Sequence, residues 1–531
     1  MQLNKKKRLT LLSGILMISL LAACGNNNGN AGGSTSEPQA SAAATEAAGT
    51  NASPAGDSGT VGTSQPVTLK MIFVGPKPVD YDLVFGEINK KLKEKVNATL
   101  EAEFLDWSDW AQKYPLKLAA NENFDLIYSA NWAGYNDQAL KGGFLELTDD
   151  LLQKYAPMTW EAMPEVGWGQ AKVNGKLYMV PQNRGETIEK LILYREDLRK
   201  KYNLPEINSP EAYANYLKTV SEKEQGVTPF VPETGDWKLH NLDRVLLKQQ
   251  NEWNMFDFDL PIGFKLTDPA GKVFNVYETP EFKELVYYYK DLADHNAWSK
   301  SALNSKLDHQ QEFRAGKTAS ITHNLGTLGA LMTDMREKNS PYELALADIT
   351  PDKKKSVAVS TQNGVSIHAT TKNPERSLMV IDLLQNDKEL HDLMMNGITA
   401  VHYNPVGDDK YTNAEKNANY TGFSNWGFNS PLNRDNASFP DEGNALTDKW
   451  EGEVYHYPLE TFVFDNSKVK TEVANVGNVM LQYGIPLEYG SVKDVDGGLA
   501  KLQAQVKEAG IDTIIAEVQR QIDEFLANSG Q

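Results

Sequence analysis

Alternating apolar and polar residues predict a small parallel sheet in the region 67–128. Residues 67–73 are rich in strand-forming residues, and 99–104 alternates, with apolar side chains on one face and Glu101 and Glu103 on the other. A helical run follows each of these segments, and a third, short buried strand comes at 124–128. The order strand, helix, strand, helix, strand indicates parallel pairing with right-handed crossovers.

Helical spacing of apolar residues predicts long helices in the middle and at the end of the chain. Thr279-Pro280 is a typical helix start, because proline is tolerated at the first helical position, and apolar residues over 282–293 fall on one face. Asn373-Pro374 opens another helix in the same way. A last helix over 511–525 carries one apolar stripe, formed by Ile511, Ile514, Ile515, Val518, Ile522 and Phe525.

The N-terminal segment has the pattern of an export signal. A basic cluster at 5–8 precedes an apolar stretch over 9–23, which is short for a membrane span. The stretch ends in Leu21-Ala22-Ala23-Cys24-Gly25, which resembles a bacterial lipobox. That resemblance implies cleavage before Cys24 and lipid on its thiol, so that 1–23 is a lipoprotein signal peptide. The alternative is an ordinary secretory signal that ends near a cysteine by chance.

Cysteine usage supports the lipid anchor. Cys24 is the one cysteine in 531 residues, so it has no partner for an internal disulfide. Two acyl chains on one cysteine suffice for stable anchoring. Residues 25–65 are mostly small and polar, which predicts that 24–65 is a disordered tether. The expected location is the extracellular face of the cell membrane, as in Gram-positive bacteria.

Length and charge narrow the possible partners. About 465 residues follow the tether, ample for two packed domains. The whole chain has a net charge of -18, and removing the four cations of the signal leaves 49 basic against 71 acidic residues, a net charge of -22. Such a surface argues against nucleic acid and anionic lipid as main partners. It does not select a ligand.

Several motifs of catalytic or metal sites are incomplete. The P-loop-like 316–318 lacks the glycine five residues earlier, where Gln311 stands. The calcium-loop-like 494–497 has Gln505 at its twelfth position, with no carboxylate. The tyrosines of 287–289 diverge on a helix by about 100° per residue, which disfavours an iron site. We therefore predict no metal, no cofactor and no catalytic residues, although a pair of glycosidase carboxylates stays open.

A series of short motifs resembles the extracellular solute-binding proteins of ABC importers, of the sugar-binding type. They are Phe124-Asp125-Leu126-Ile127-Tyr128, Gly143-Phe144-Leu145-Glu146-Leu147-Thr148, Val173-Asn174-Gly175-Lys176-Leu177-Tyr178-Met179-Val180-Pro181, Leu193-Tyr194-Arg195-Glu196-Asp197-Leu198, Tyr202-Asn203-Leu204-Pro205, Phe313-Arg314-Ala315-Gly316-Lys317-Thr318-Ala319 and Thr371-Lys372-Asn373-Pro374-Glu375. Each motif alone is weak, but their number, order and spacing are specific. In addition, 462–525 resembles a C-terminal region found in a subset of Gram-positive binding lipoproteins.

The resemblance implies an α/β fold of the two-lobe periplasmic-binding-protein type (type II-like), with discontinuous lobes joined by hinge crossovers. We expect the first part of lobe 1 at 66–181 and mainly lobe 2 at 182–360. Returning segments of lobe 1 and the hinge are expected at 361–461. The C-terminal region, 462–531, is expected to pack across the lobes and shape the cleft.

Aromatic residues follow the predicted strand ends, where ligands gather in parallel α/β sheets. Trp107 follows the second strand, and Trp132 and Tyr135 follow the third. Aromatic rings pack against the apolar C–H faces of sugar rings, so these three residues are candidate ligand contacts. The alternative is that some of them fill the core.

Further candidate ligand contacts lie near the expected hinge and cleft. Asn183 and Arg184 follow the last predicted strand of the first lobe, where they would contact a ligand or tie the crossover together; for Arg184 we favour the structural role. Four more candidates stand in polar or glycine-rich surroundings and are Trp237, Asn324, Asn363 and Trp426.

The resemblance implies a monomeric receptor that binds a small solute without turnover. The loaded, closed protein would dock on ABC permease subunits driven by a separate ATPase. Aromatic residues near the strand ends make an oligosaccharide our first choice of solute. An extracellular glycan-active enzyme, a ligand-sensing subunit for a membrane kinase, and a receptor for a peptide or another non-sugar solute remain alternatives.

Overall fold

The computed structural model describes residues 62–528 except 121, 186–188, 234–239, 256–259 and 357–358. The strands in these residues are β1 Val67–Val74, β2 Ala98–Leu105, β3 Leu126–Ser129, β4 Lys172–Val173, β5 Lys176–Leu177, β6 Val180–Pro181, β7 Lys190–Arg195, β8 Thr228–Phe230, β9 Trp253–Met255, β10 Ile262–Lys265, β11 Val273–Asn275, β12 Thr318–Asn324, β13 Leu344–Ala347, β14 Lys355–Ser356, β15 Gly364–Ile367, β16 Tyr403–Val406, β17 Lys410–Asn413, β18 Asp435–Asn436 and β19 Val454–Tyr455. The α-helices in the same residues are α1 Tyr81–Val96, α2 Trp110–Ala119, α3 Tyr135–Leu140, α4 Asp149–Tyr155, α5 Pro157–Ala162, α6 Glu165–Gln170, α7 Glu196–Lys201, α8 Pro210–Lys223, α9 His240–Asp243, α10 Pro280–Asp294, α11 His309–Arg314, α12 Leu325–Glu337, α13 Pro374–Asn386, α14 Lys388–Asn396, α15 Asp441–Gly452, α16 Lys470–Val479, α17 Ile485–Glu488, α18 Val495–Glu508 and α19 Ile511–Asn528. Cys24 and the predicted signal segment lie outside the described residues.

The first main sheet, with strand order β2-β1-β3-β15-β6, is the centre of lobe 1. β1 pairs in parallel with β2, from Val67 opposite Ala98 to Val74 opposite Leu105, and in parallel with β3 on its other side. The predicted parallel arrangement of the N-terminal strands is therefore confirmed. β15 runs antiparallel to both of its neighbours and closes the sheet with β6.

The two faces of this sheet bury different side chains of the same strand. Leu69, Met71 and Phe73 of β1 point into a core shared with α1, α13 and α14. Ile72 and Val74 point into the opposite core, shared with α2 and α3. Successive side chains of a strand face opposite sides, so a strand covered on both faces reads as a nearly continuous apolar run.

The second main sheet, with strand order β13-β7-β12-β8, is the centre of lobe 2. β7 is antiparallel to β12 and β13, and β12 is parallel to β8. All residues of β7 are buried. Leu191 and Leu193 pack towards α12 and α15, whereas Ile192 and Tyr194 pack towards α8 and α10. Lobe 2 is therefore also a sheet covered on both faces.

The chain passes between the two sheets three times. The first crossing, 182–189, joins β6 to β7; the second, 348–363, joins β13 to β15; the third, 429–440, leads from lobe 1 to α15. Each lobe is thus built from separate stretches of sequence, and the predicted two-lobe α/β class is confirmed. The position of α15 differs from the expectation that 361–461 returns to lobe 1 and the hinge. Its Trp450 is fully buried in lobe 2 and donates from Nε1 to Asp348 Oδ2 over 3.0 Å.

The C-terminal region completes the core of lobe 2. Its buried apolar side chains share one core with β10, β11 and α10, and they are Val476, Leu487, Leu499, Leu502, Val506, Ile511, Ile514, Val518 and Ile522. Polar contacts run the same way, because Gln519 Oε1 accepts from the backbone of Val273 and Gln503 Nε2 donates to the carbonyl of Tyr277. These contacts are with lobe 2 rather than across the two lobes, contrary to the expectation.

Two half-buried carboxyl groups lie at this junction. Asp243 of α9 accepts a hydrogen bond from the Tyr289 hydroxyl, and Glu488 of α17 interacts electrostatically with Asp243. Burial raises the pKa of both carboxyls, and their mutual repulsion raises that of Glu488 further. The junction between the C-terminal region and the rest of lobe 2 therefore contains two carboxyl groups that hold their protons more tightly than exposed carboxyls do.

None of the helices in the described ranges combines the length and the apolar character that crossing a membrane requires.

Replacing Ile514 with alanine should lower the free energy of unfolding by about 2–5 kcal/mol, because it opens a cavity in the core of lobe 2. Thr513→Ala, at the exposed neighbouring position of α19, should change it by about 0.5 kcal/mol or less. Urea unfolding monitored by tryptophan fluorescence measures both. Equal effects of the two substitutions would show that α19 is not part of the lobe 2 core.

The Glu488→Gln variant should gain stability relative to the native protein as the pH rises from 4 to 8. The buried carboxyl binds its proton more tightly in the folded than in the unfolded protein, where the pKa is about 4.3. The native protein therefore loses stability as the pH rises through this window, and the neutral amide does not. Urea unfolding at both pH values measures the difference, with the exposed Glu284→Gln as control. A pH-independent difference would contradict the prediction.

Candidate functional site

Tryptophan side chains gather at the edge of the lobe 1 sheet where β1, β2 and β3 end. Trp107 and Trp110 follow β2, and Trp132 follows β3 in a short 3₁₀ turn. Trp426 comes from a distant part of the sequence. It reaches the same edge because the backbone N–H of Ser424 donates to the Val74 carbonyl over 2.8 Å, at the end of β1.

The four indoles form a continuous group, which we call the tryptophan wall (Trp107, Trp110, Trp132 and Trp426). Trp107 and Trp426 stack with ring centroids 5.9 Å apart and planes 11° apart. Trp132 lies 6.4 Å from Trp107 and 5.6 Å from Trp110, which meets it edge-on. Trp107 is 40% exposed, which is unusual for so large an apolar side chain. The wall therefore presents aromatic surface to the space beyond the strand ends.

The protein itself satisfies the ring N–H groups of three of the four tryptophans of the wall. Trp107 donates to the Gly422 carbonyl over 3.0 Å, Trp132 to the Gln362 carbonyl over 2.8 Å, and Trp426 to the Tyr128 hydroxyl over 2.9 Å. These bonds fix the orientation of each ring. The wall consequently offers ring faces rather than hydrogen-bond donors to a ligand.

Asn363 lies at the base of the wall, next to the hinge. Its side chain is 5% exposed; Oδ1 accepts from the Tyr128 hydroxyl over 2.6 Å, and Nδ2 donates to Gln182 Oε1 over 2.8 Å. The structure thus brings Asn363 together with Trp107, Trp132 and Trp426. Sequence reasoning did not identify Tyr128, Gln182 or Trp110 as site residues, although Tyr128 is the last residue of one predicted strand and Trp110 comes six residues after another.

Tyr135 does not belong to this group, and its selection as a ligand contact is wrong. The ring is fully buried and stacks on Phe144 with centroids 6.0 Å apart. Its hydroxyl donates to the Ala171 carbonyl over 2.6 Å and accepts from the backbone N–H of Tyr178 over 3.2 Å. Tyr135 therefore fills the lobe 1 core, the alternative left open for residues at the strand ends.

Asn183 and Arg184 occupy the first crossing but bind other parts of the protein. Asn183 Nδ2 donates to the Ala162 carbonyl over 2.9 Å. Arg184 forms an ion pair with Asp435 at 2.5 Å and so ties the first crossing to the third. This is the structural role favoured for Arg184 from the sequence.

Lobe 2 presents polar groups at its own strand ends. Asn324 ends β12, and its side chain accepts from the backbone N–H of Thr327 as the N-cap of α12. Beside it, His323 and His309 point Nε2 at the same oxygen of Glu233, at 3.6 and 3.8 Å. These three residues form what we call the lobe 2 polar edge (Glu233, His309 and His323). Trp237, the remaining candidate, lies outside the described residues.

Burial sets the protonation of the polar edge. It raises the pKa of Glu233 despite the nearby cations Lys190 and Arg244. It lowers the pKa of His309 to about 4 and that of His323 well below its usual value. Both imidazoles are therefore neutral at neutral pH. Nδ1 of His323 accepts from the backbone N–H of Asn324 over 2.9 Å, so the proton of this ring is on Nε2, the atom that faces Glu233.

The two edges face the same hinge. The first crossing leaves β6 at the lobe 1 edge and enters β7 at Lys190, which pairs with Asn324 at the end of β12. The tryptophan wall and the lobe 2 polar edge thus lie at the ends of the two sheets that the crossings join. Among the residues that the structure describes, no group of three His, Cys, Asp or Glu side chains is arranged to hold a metal ion.

Comparison with known proteins identifies the architecture. The chain is 27% identical over 507 residues to a protein of Streptococcus pneumoniae named carbohydrate ABC transporter substrate-binding protein, covering 90% of this chain and 94% of that one. Residues 458–527 match the family model described as a domain of unknown function, DUF3502. The resemblance to solute-binding proteins of ABC importers is confirmed.

Solved structures show the same fold. The N-glycan transport solute-binding protein NgtS of S. pneumoniae, in complex with Man1GlcNAc, has a TM-score of 0.71 at 24% identity and covers 87% of this chain and 100% of its own. The alginate-binding protein AlgQ2 has a TM-score of 0.64 at 17% identity, over 86% and 98% of the two chains. The fold is that of a two-lobed solute-binding protein.

Proposed function

We propose that this solute-binding protein captures an oligosaccharide between its two lobes and delivers it to an ABC permease in the membrane. The tryptophan wall carries the proposal. The ring N–H groups of Trp107, Trp132 and Trp426 already have partners within the protein, so the surface these rings offer is aromatic and apolar. A ligand for this surface needs flat apolar faces on an otherwise hydrophilic molecule, and the C–H faces of pyranose rings fit that description.

The wall extends over more than one ring. Successive centroids along Trp426, Trp107 and Trp132 are 5.9 and 6.4 Å apart, and this extent suits a chain of sugars better than a single one. The similar S. pneumoniae protein NgtS is named for N-glycan transport and has been solved with Man1GlcNAc and with Man5GlcNAc. Mannose-containing N-glycan fragments are therefore the first ligands to test.

The two lobes divide the contacts to the ligand. Lobe 1 offers the ring faces of the wall, and the lobe 2 polar edge offers a carboxyl group and two neutral imidazoles suited to sugar hydroxyls. Only a ligand that contacts both lobes favours the closed over the open arrangement, since closure requires differential affinity for the two states. The permease would then bind the closed, loaded receptor.

Replacing Trp107 with alanine should weaken oligosaccharide binding by about tenfold or more, because a buried aromatic anchor typically contributes about 2 kcal/mol or more to binding. Isothermal titration calorimetry with Man5GlcNAc measures the affinity. Trp160→Ala is the matched control, because Trp160 stacks on Trp168 elsewhere in lobe 1, with centroids 5.6 Å apart.

Three outcomes would overturn parts of the proposal. Unchanged affinity in Trp107→Ala would exclude the wall as the sugar site. Release of smaller sugars during the titration would favour a glycan-active enzyme. A rise in melting temperature with peptides but with no glycan would show that the solute is a peptide, and the proposal of a two-lobe receptor would stand. Such a rise is readily measured, because a ligand at 100 times its Kd adds about 2.7 kcal/mol of stability.

The receptor is proposed to act from the extracellular face of the membrane, held by lipid on Cys24. Purified from its native host, it should begin at residue 24 and carry the mass of a diacylglyceryl group. Cells fed a clickable fatty acid should label the native protein but not the Cys24→Ala variant. A mature N-terminus elsewhere, without lipid, would favour the ordinary secretory signal.

A further inference from the structure

The three crossings meet at one side-chain amide, that of Gln182. Gln182 begins the first crossing, Asn363 ends the second and Asn429 begins the third. Gln182 Oε1 accepts from Asn363 Nδ2 over 2.8 Å and from Asn429 Nδ2 over 3.3 Å. Backbone bonds reinforce the meeting, because the N–H of Gln182 donates to the Asn363 carbonyl over 2.8 Å and that of Asn183 to the Asn429 carbonyl over 2.9 Å.

On the lobe 1 side, this hydrogen-bond pattern begins at the indole of Trp426. The indole N–H of Trp426 can only donate, and it donates to the Tyr128 hydroxyl. The hydroxyl proton of Tyr128 then goes to Asn363 Oδ1. Asn363 consequently turns its Nδ2 towards Gln182, whose oxygen accepts.

On the side of the third crossing, the pattern begins at a backbone N–H, which can only donate. The backbone N–H of Ser430 donates to Asn433 Oδ1 over 2.9 Å. Asn433 therefore donates from Nδ2 to Asn429 Oδ1 over 2.8 Å, and Asn429 Nδ2 turns towards Gln182. Asn363 and Asn429 thus both donate to the same atom, Oε1 of Gln182.

In this arrangement the other end of the Gln182 amide, the Nε2 donor, is unused. Gln182 is 1% exposed, and its Nε2 has no hydrogen-bond partner within the described residues. Buried donors are nearly always paired, so an unpaired one at the meeting point of three crossings needs a reason. A small rotation of the crossings that brought an acceptor to Nε2 would be favoured by the new hydrogen bond.

We propose that Trp426, Tyr128, Asn363 and Gln182 form a hydrogen-bond chain that couples the position of the tryptophan wall to the hinge, with Gln182 as a positioning residue for lobe closure. The coupling rests on the proposed function, because a sugar on the wall is the ligand that would act on Trp426. A sugar stacked against Trp426 would hold the ring in its hydrogen-bonded position and so, through Tyr128 and Asn363, favour the arrangement of the Gln182 amide that goes with this position. Closure is thereby linked to occupancy of the wall, in addition to the ligand's direct contacts with lobe 2.

The experiment measures the distance between the lobes by single-molecule FRET. Gln112→Cys in lobe 1 and Lys306→Cys in lobe 2 are exposed labelling positions, and Cys24→Ser leaves no other cysteine in the chain. The labelled mature chain is compared without ligand and at saturating Man5GlcNAc. Tyr128→Phe cuts the chain while keeping the ring, and Gln182→Met removes its end.

We expect Tyr128→Phe to shift the ligand-free distance distribution and to lower the closed fraction at saturation. Its apparent Kd should rise by about three- to tenfold, because the affinity falls with the fraction of competent protein. The double variant with Gln182→Met should be no worse than Gln182→Met alone, since both act on one chain. Tyr213→Phe, which removes a buried hydroxyl bonded to Ser320 in lobe 2, should leave the lobe distances unchanged and add independently.

Unchanged lobe distances in Tyr128→Phe, or effects of Tyr128→Phe and Gln182→Met that multiply, would overturn the coupling. If Gln182→Met does not fold, the conservative Tyr128→Phe decides alone through its closed fraction. If the native protein binds no glycan, the proposed function fails, while the ligand-free distributions still decide whether the chain controls the hinge.

Discussion

Three passages of one chain between two sheets constrain everything else in the molecule. The first crossing joins the end of β6 in lobe 1 to the start of β7 in lobe 2, and the second joins the end of β13 in lobe 2 to the start of β15 in lobe 1, so the two sheets meet the hinge at their strand ends. The loops that carry the tryptophan wall and the lobe 2 polar edge are consequently brought to the same place. Ion pairs and amide contacts among the crossings, such as Arg184 with Asp435, keep the passages together. The same three crossings therefore form the hinge and bring the candidate site residues of the two lobes together.

The C-terminal region has a different relation to the site. Its helices complete the core of lobe 2. The apolar face of α19 belongs to the same core as β10, β11 and α10, whose apolar side chains would otherwise be exposed. The half-buried pair Asp243 and Glu488 lies at this junction, where desolvation raises the pKa of both carboxyls. Lobe 2 therefore depends on the last residues of the chain for stability, whereas lobe 1 closes its two cores without them. The contacts of the region described above are with lobe 2, the lobe that carries the polar edge.

Local patterns predicted the regular parts of the fold. The alternation at 99–104 reflects a strand with one polar face, and the stripe over 511–525 reflects a helix with one buried face; both depend on neighbours in sequence. Pro280 and Pro374 begin helices as expected. The resemblance to a family supplied the two lobes and their discontinuity, which periodicity alone does not contain.

The candidate site was predicted only in part. Sequence patterns do not show in which direction a side chain after a strand end points, and they do not show contacts between residues far apart in the chain. Tyr135 follows a strand end as Trp132 does, but Gly134 in a left-handed conformation, with φ of 75°, starts a helix there and the ring enters the core. The contact of Gln182 with Asn363 joins residues 181 positions apart, so no local pattern records it. Trp426 was selected for its surroundings, and what places it is the bond between Ser424 and Val74. The roles of the remaining candidates as ligand contacts stay predictions, and Trp237 lies outside the described residues.

The pairing of every indole N–H in the exposed part of the wall with a protein acceptor has a consequence for discrimination. Ring faces without free donors hold many sugars alike, because stereoisomers that differ in one hydroxyl present similar apolar faces. Under the proposed function, lobe 1 is a tolerant first contact and the choice among sugars falls to lobe 2. A sugar that does not fit lobe 2 would then bind to the open receptor and dissociate again. Selection would therefore act on which glycans are delivered to the permease, not on which glycans bind to lobe 1.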